Sequence, residues 1–214
     1  MQKNLLNTAL IDYCQQLEQG FEQLPATRKA ILLQLSNYLS QKINAKQVPQ
    51  VTVICTHNSR RSHFGQLWLA IGATYYGLPP IRTFSGGTEV SAFNPRAVQA
   101  FQRIGLEIKR PDHDTANPAY EVRWQVNQSP YIAFSKKHTT APNPSSAFAA
   151  VMVCTDADQN CPLVAGTDLK LTVPYTDPKK YDDTNLEAIE YDKTCQEIGR
   201  EMLFVLQQTQ QLIK

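Results

Sequence analysis

Residues 51–54, Val-Thr-Val-Ile, form a short β-branched run that ends at Cys55. A polar loop follows: Thr56, His57, Asn58, Ser59, Arg60 and Arg61. An amphipathic run then starts at Ser62, with Phe64, Trp68, Ile71 and Tyr75 spaced 4, 3, 4 along one helical face. A run without polar alternation suits a central strand buried on both sides. Strand, tight loop and helix together aim backbone N–H groups at one centre, and the helix dipole favours negative charge there. This stretch limits the chain to folds in which a strand feeds a helix across an anion-binding loop.

The rest of the chain supplies the layers. With 214 residues, one domain with an appendage is expected. A net charge of +2 argues against nucleic acid or a membrane surface as partner. No apolar run is long enough to cross a bilayer, and residues 1–6 carry no secretory h-region. Five cysteines, an odd number, do not read as a secreted disulfide framework. A cytoplasmic protein is expected.

Residues 1–46 read as an N-terminal helical hairpin. Leu6, Leu10, Tyr13 and Leu17 line one helix; Ile31, Leu35 and Tyr38 line the second, after Pro25. Residues 47–214 read as the main α/β domain. Its further strands fall at 81–84, 149–153 and 169–173. Helices start at Asn94-Pro95 and at about residue 185, the last with Tyr191, Cys195, Ile198, Met202 and Val205 on its inner stripe. Strands alternating with helices imply a parallel sheet covered on both faces. Residues 112–148 interrupt this pattern. Tyr120, Val122, Trp124 and Val126 alternate with polar residues, residues 128–130 signal a turn, and 131–134 pair back. An inserted β-hairpin followed by a mobile loop is expected. Cys14 and Cys195 lie beside or on apolar stripes and read as buried thiols.

The chemistry of the loop is specific. The thiolate is the nucleophilic form of cysteine, and helix N-termini and cations favour it. Arg61, six residues after Cys55, can grip two oxygens of a tetrahedral oxyanion. Ser62 can donate to the sulfur and improve it as a leaving group. Thr56, His57, Asn58, Ser59 and Arg60 make up the cradle. Attack by sulfur on a phosphate-like centre follows. Metal binding does not fit, because no second cysteine is near Cys55 and His57 and His63 lack ligand spacing. A general acid must protonate the leaving oxygen, and Asp177-Pro178 is the best-placed carboxylate, although alone it reads as an ordinary turn.

Cys154 ends the third core strand, on the sheet edge where Cys55 should lie, and Cys161 follows seven residues later. Two thiols beside a reactive one suit disulfide relay. One buried and one incidental cysteine is an equal reading of these residues alone.

The loop 55–62 resembles that of the low-molecular-weight protein tyrosine phosphatase superfamily. The segment 154–162 resembles the redox segment of its thioredoxin-coupled arsenate reductase branch. Ser85-Gly86, Asn94-Pro95, Gly105 and Asp177-Pro178 fall in the family's order. The resemblance covers residues 50–210, without the N-terminal helices or the insertion. It implies a small four-stranded parallel sheet flanked by helices, with the loop at the C-terminal end of the first strand. It implies Cys55 as nucleophile, Arg61 as oxyanion clamp, Ser62 as thiolate stabiliser and Asp177 as general acid. As a reductase, Cys55 would attack arsenate, Cys154 would attack Cys55 to release arsenite, and a Cys154–Cys161 disulfide would pass to thioredoxin. No bound cofactor or metal is implied.

This chain departs from the family at three places. His57 stands where glycine is usual, Arg60 where an uncharged residue is common, and Gln66 where a glutamate is associated with potassium, so that ion is not expected. The alternative enzyme is a phosphatase acting on phosphotyrosine or small phosphoesters, with Cys154 and Cys161 protecting Cys55 and with Tyr175 or Tyr181 beside Asp177. A non-catalytic oxyanion sensor would not need the general acid.

Overall fold

A computed structural model describes the chain apart from residues 1–5, 113–114, 126–128 and 161–162, and apart from the side chains of 159 and 160. Val126, expected in the hairpin, and Cys161, expected in the relay, lie outside the described residues.

Four parallel strands form the centre: β1 (Gln50–Cys55), β2 (Arg82–Gly87), β6 (Phe148–Met152) and β7 (Thr167–Thr172), in the order β2-β1-β6-β7. This is the fold predicted from the alternation of runs. β1 is flanked on both sides, with Cys55 opposite Gly87 on β2 and Ile54 opposite Met152 on β6. Its last five residues are buried, as expected for a strand without polar alternation.

Six helices surround the sheet: α1 (Thr8–Glu18), α2 (Ala26–Asn44), α3 (Arg61–Tyr75), α4 (Pro95–Arg103), α5 (Thr155–Asn160) and α6 (Glu187–Leu212). The N-caps of α1 and α4 are asparagines whose side chains accept from Leu10 and Arg96 backbone N–H groups. α6 is the hub, packing on α1, α2, α3 and α4. The first two helices thus pack on the main domain through α6. Leu10, Cys14 and Leu17 of α1 and Leu32, Leu35 and Leu39 of α2 are buried against the common core. Ser36 of α2 donates to the Val205 carbonyl of α6 at 3.0 Å.

The insertion forms a second sheet. β3 (Glu107–Lys109), β4 (Tyr120–Arg123) and β5 (Tyr131–Ala133) pair antiparallel in that order. The hairpin was expected; β3, only three residues long, was not. Trp124 is buried against the main domain and donates to Thr74 Oγ1 at 3.2 Å.

Residues 135–143 are not the free loop that their polar composition suggests. Lys136 carbonyl accepts from Gly87 N–H at 2.9 Å, and His138 N–H donates to Gly87 carbonyl at 2.9 Å. Asn143 donates to Ser85 carbonyl at 2.9 Å. The segment extends the free edge of β2 and closes one side of the loop that follows β1.

Candidate active site

Cys55 sits at the C-terminal end of β1, 4% exposed. α3 starts six residues on, at Arg61, and its first helical bond is Phe64 N–H to Arg60 carbonyl, 3.0 Å. No side chain among the described residues caps this helix. The N–H groups of its first turn are thus left for something else to accept from.

Asn58 is the keystone of the loop. Its φ is +44°, a left-handed conformation that asparagine tolerates better than most residues. Its side chain is fully buried and used at both ends. Nδ2 donates to Ser62 Oγ at 2.9 Å, and Oδ1 accepts from Lys136 N–H at 2.9 Å. Ser62 Oγ lies 3.1 Å from Cys55 Sγ. Because Asn58 already donates to Ser62, the serine proton is free to point at sulfur, which suits a thiolate. His63 completes the set. It is fully buried, stacked on Phe93 with centroids 4.1 Å apart, and held neutral because burial, and then the Lys136 charge, push its pKa well below the usual value. A neutral ring with Nε2 3.1 Å from the Asn58 carbonyl must donate there, which leaves Nδ1 to accept from Ser85 Oγ at 3.4 Å. Asn58 and His63 were not legible as organising residues; the only signal was an asparagine in a loop that needs a left-handed turn.

His57 does not have positive φ, so no glycine is required at its position. Its ring is half-exposed and 3.3 Å from Glu89. Gly87 does have a close-approach role: a Cβ there would lie 2.6 Å from the Thr56 carbonyl and 2.8 Å from the Asn58 nitrogen. Ser59 is buried, and its carbonyl accepts from Asn94 N–H at 2.9 Å.

The two arginines part company. Arg60 Nε donates to Tyr191 OH at 2.7 Å, and Tyr191 donates to Asp182 Oδ1 at 2.7 Å. Arg60 Nη2 is 3.5 Å from Asp182. Expected as an extra charge beside the anion, Arg60 is instead committed to α6 and the turn before it. Arg61 Nη2 donates to Asp177 Oδ2 at 2.7 Å, and Nη1 to the Tyr175 carbonyl at 2.9 Å. The sequence-expected clamp and acid are therefore in direct contact. Asp177 is extended (φ −77°, ψ 121°), and its Oδ1 accepts from Lys179 N–H.

The strand that carries this acid loop is tied from behind. Tyr175 is buried, and its hydroxyl donates to Glu201 Oε2 of α6 at 2.5 Å. Arg28 of α2 reaches the same carboxylate, with Nε 2.8 and 3.0 Å from its two oxygens, and donates from Nη2 to the Pro174 carbonyl at 3.1 Å. Burial, then the Glu201 charge, push the Tyr175 pKa far up, so it stays a donor.

Cys154 follows β6 and is 2% exposed. Its sulfur lies 3.5 Å from Thr56 Oγ1, the residue after Cys55, and accepts from Ala157 N–H at 3.4 Å. The segment after it is the short helix α5, where a loop was expected. Cys14 and Cys195 are buried in the core; burial pushes the Cys195 thiol up to about 12, and Trp68 Nε1 donates to it at 3.4 Å.

Lys136 is the unexpected member. Only 4% exposed, it has no carboxylate partner among the described residues; its Nζ meets the Phe134 carbonyl at 3.4 Å and that residue's ring at 4.7 Å. Burial pushes its pKa down to about 8. Below that pH both native and unfolded chains hold the proton, and the native state carries the full desolvation cost. As pH rises toward the unfolded value, the unfolded chain holds more protons and stability rises. Lys136→Met is therefore expected to stabilise the fold by about 1–2 kcal/mol at pH 7, with the gain gone by about pH 10.5, as read by urea unfolding of both proteins across that range.

A strand-end cysteine, an arginine that opens the following helix, a serine on the sulfur and an acid loop are the groups that attack by sulfur on an oxyanion requires. No family model matches the chain. The chain is similar to "Arsenate reductase 2" of Staphylococcus haemolyticus, 27% identical over 149 residues that make up 66% of this chain and 93% of that protein. It is also similar to "Arsenate reductase 2" of Staphylococcus saprophyticus, 24% identical, over 70% of this chain and 89% of the other. Among solved structures, a low-molecular-weight phosphotyrosine phosphatase from Vibrio cholerae superposes with a TM-score of 0.48 at 14% identity, over 74% of this chain and 95% of that one. A YwlE mutant from Bacillus subtilis also gives 0.48, at 15% identity, over 75% and 97%. In sequence, then, the chain is similar to arsenate reductases at 24–27% identity. No helix among the described residues is long and apolar enough to cross a membrane.

Proposed function

We propose that the protein reduces arsenate to arsenite by a thiol relay. The observation that carries this reading is the second thiol: Cys154 Sγ beside Thr56, at the lip of the Cys55 loop. Arsenate enters the cradle of α3 N–H groups, and Arg61 exchanges Asp177 for two oxyanion oxygens. That exchange frees Asp177 to protonate the departing oxygen. Cys55 thiolate attacks arsenic, an As–S bond forms, and water leaves. Ser62, fixed by Asn58, stabilises the sulfur before attack and again when it departs. Cys154 thiolate then attacks Cys55 sulfur. The S–S bond forms, the As–S electron pair stays on arsenic, and arsenic falls from the +5 to the +3 state as arsenite. Cys161 attacks Cys154, which regenerates the Cys55 thiolate and leaves a Cys154–Cys161 disulfide. A thioredoxin-type dithiol supplies the two electrons that reopen it. Thr56, His57 and Ser59 contribute backbone to the cradle, and the reaction is placed in a reducing, cytoplasmic setting.

The runner-up is a phosphatase sharing the same loop. Its cleft would need an aromatic wall beside Asp177, but Tyr175 is buried with its hydroxyl on Glu201. Tyr181 is half-exposed, which leaves that wall with one member. Turnover separates the two. With thioredoxin and its reductase, arsenate reduction should run for many cycles, and Cys161→Ser should stall it after about one, because a Cys55–Cys154 disulfide then has no intramolecular exit. Full multi-turnover in both Cys154→Ser and Cys161→Ser would sink the relay. Aryl phosphate hydrolysis that needs Cys55, Arg61 and Asp177 but neither Cys154 nor Cys161 would favour the phosphatase.

A further inference from the structure

A cavity of about 570 Å³ opens between the inserted hairpin and the core sheet, where β2, α3 and the segment after β5 meet. That is the size range of small-molecule sites. Its walls are mostly apolar, with Phe84, Ile132 and Pro142 among them; Ile132 stands 47% exposed. Besides the buried Thr83, two buried polar side chains line it. One is Lys136, an ammonium with no carboxylate within 4.0 Å among the described residues. The other is Gln66, 3% exposed, whose Nε2 donates to the Thr83 carbonyl at 3.3 Å and to Tyr131 OH at 2.5 Å. Its Oε1 is buried and has no hydrogen-bond partner among the described residues. Arg82 adds a second cation to the lining.

A buried cation without a counter-charge is costly, and it costs least when the counter-charge arrives with a ligand. We propose that this cavity binds a small organic carboxylate: an apolar, ring-sized body against Phe84, Ile132 and Pro142, with its carboxylate on the Lys136 ammonium. The apolar walls argue against a bare inorganic oxyanion, which the Cys55 loop is built to take. The two sites are nevertheless joined. The residue that would hold the carboxylate donates its backbone N–H to Asn58 Oδ1, and Asn58 holds Ser62 on Cys55. Occupancy of the cavity thus bears on the segment that buttresses the nucleophile loop.

Benzoate is the probe and calorimetry on the full chain the measurement, so the outcome does not depend on arsenate turnover. The expected result is saturable binding with a dissociation constant near or below about 1 mM. It should weaken about tenfold or more in Lys136→Met, which removes the charge-assisted contact. Ile132→Asp should weaken it as much, by supplying a resident carboxylate at the wall. Benzyl alcohol, the same ring without the charge, should also bind about tenfold or more weakly. Arg61→Ala should leave benzoate binding unchanged. Absence of saturable binding overturns the proposal. So does benzoate affinity that survives Lys136→Met and Ile132→Asp but is lost in Arg61→Ala, because the ligand is then in the oxyanion loop. A melting scan of both cavity variants reports folding, and agreement between them guards against a defect peculiar to one.

Discussion

The Cys55→Ser protein is expected to bind arsenate and reduce none of it, with turnover lower by on the order of four to six decades. The two side chains differ by one atom, and position 55 is buried at a strand end whose neighbours, Ser62 and the β2 backbone, a serine hydroxyl can still meet. Stability should move by less than about 1 kcal/mol. What is lost is the nucleophile: a serine hydroxyl stays protonated where a thiol can ionise, and nothing in the loop offers a base to it. The neutral His63 ring is spent on Asn58 and Ser85. The acid-loop carboxylate, Asp177, is bound to Arg61. Rapid-quench assay with thioredoxin present, together with calorimetry of arsenate binding, reads both halves of the expectation. Residual turnover within about a hundredfold of wild type would mean that sulfur at 55 is not the attacking atom.

The second large effect lies far from Cys55 in sequence. Arg28→Met is expected to destabilise the fold by about 3 kcal/mol. Glu201, with its side chain 4% exposed, then remains buried with Tyr175 as its only described partner. The same change removes the donor to Pro174, so the loop from Pro174 to Asp177 loses its rear anchor. The kcat for arsenate should fall about tenfold while arsenate affinity changes less, because the defect is in how Asp177 is held and not in the α3 cradle. Combining Arg28→Met with Tyr175→Phe and Glu201→Met replaces the buried polar cluster with apolar volume and should return stability to within about 1 kcal/mol of wild type. Urea unfolding of the single and triple variants decides the point. A loss below about 1 kcal/mol in Arg28→Met would show that the cluster is solvated.

Local features of this chain were legible and distant ones were not. The strand 51–54 and the helix after it are visible because their periodicities differ sharply, and the Cys55, Arg61 and Ser62 spacing carries its own chemistry. The parallel sheet follows from runs that alternate with helices, while its strand order shows only in the fold. β3 escaped notice because three residues are too few to show a period. α5 did so because its sequence, Thr-Asp-Ala-Asp-Gln-Asn, has no apolar stripe. Lys136 and Lys137 fall in what reads as a mobile loop, and only the fold shows that the first is buried between β2 and the insertion. Arg60 read as a second anion ligand because sequence cannot show that Tyr191 and Asp182, more than a hundred residues on, would claim it. The Arg28–Glu201 contact spans 173 positions and leaves no local trace.

That last contact bears on the order in which the protein can become competent during synthesis. Residue 28 leaves the ribosome long before residue 201, and the acid loop, at 174–177, emerges between them. Until Glu201 appears, Arg28 has no carboxylate to meet, Tyr175 has no acceptor for its hydroxyl, and Arg61 can reach Asp177 only on a loop that nothing holds. The nucleophile loop has emerged by residue 63 and its buttress at Lys136 later, yet the nascent chain should stay inactive until α6 docks. A thiol loop that waits for the last helix is kept from chemistry while the chain is still being made.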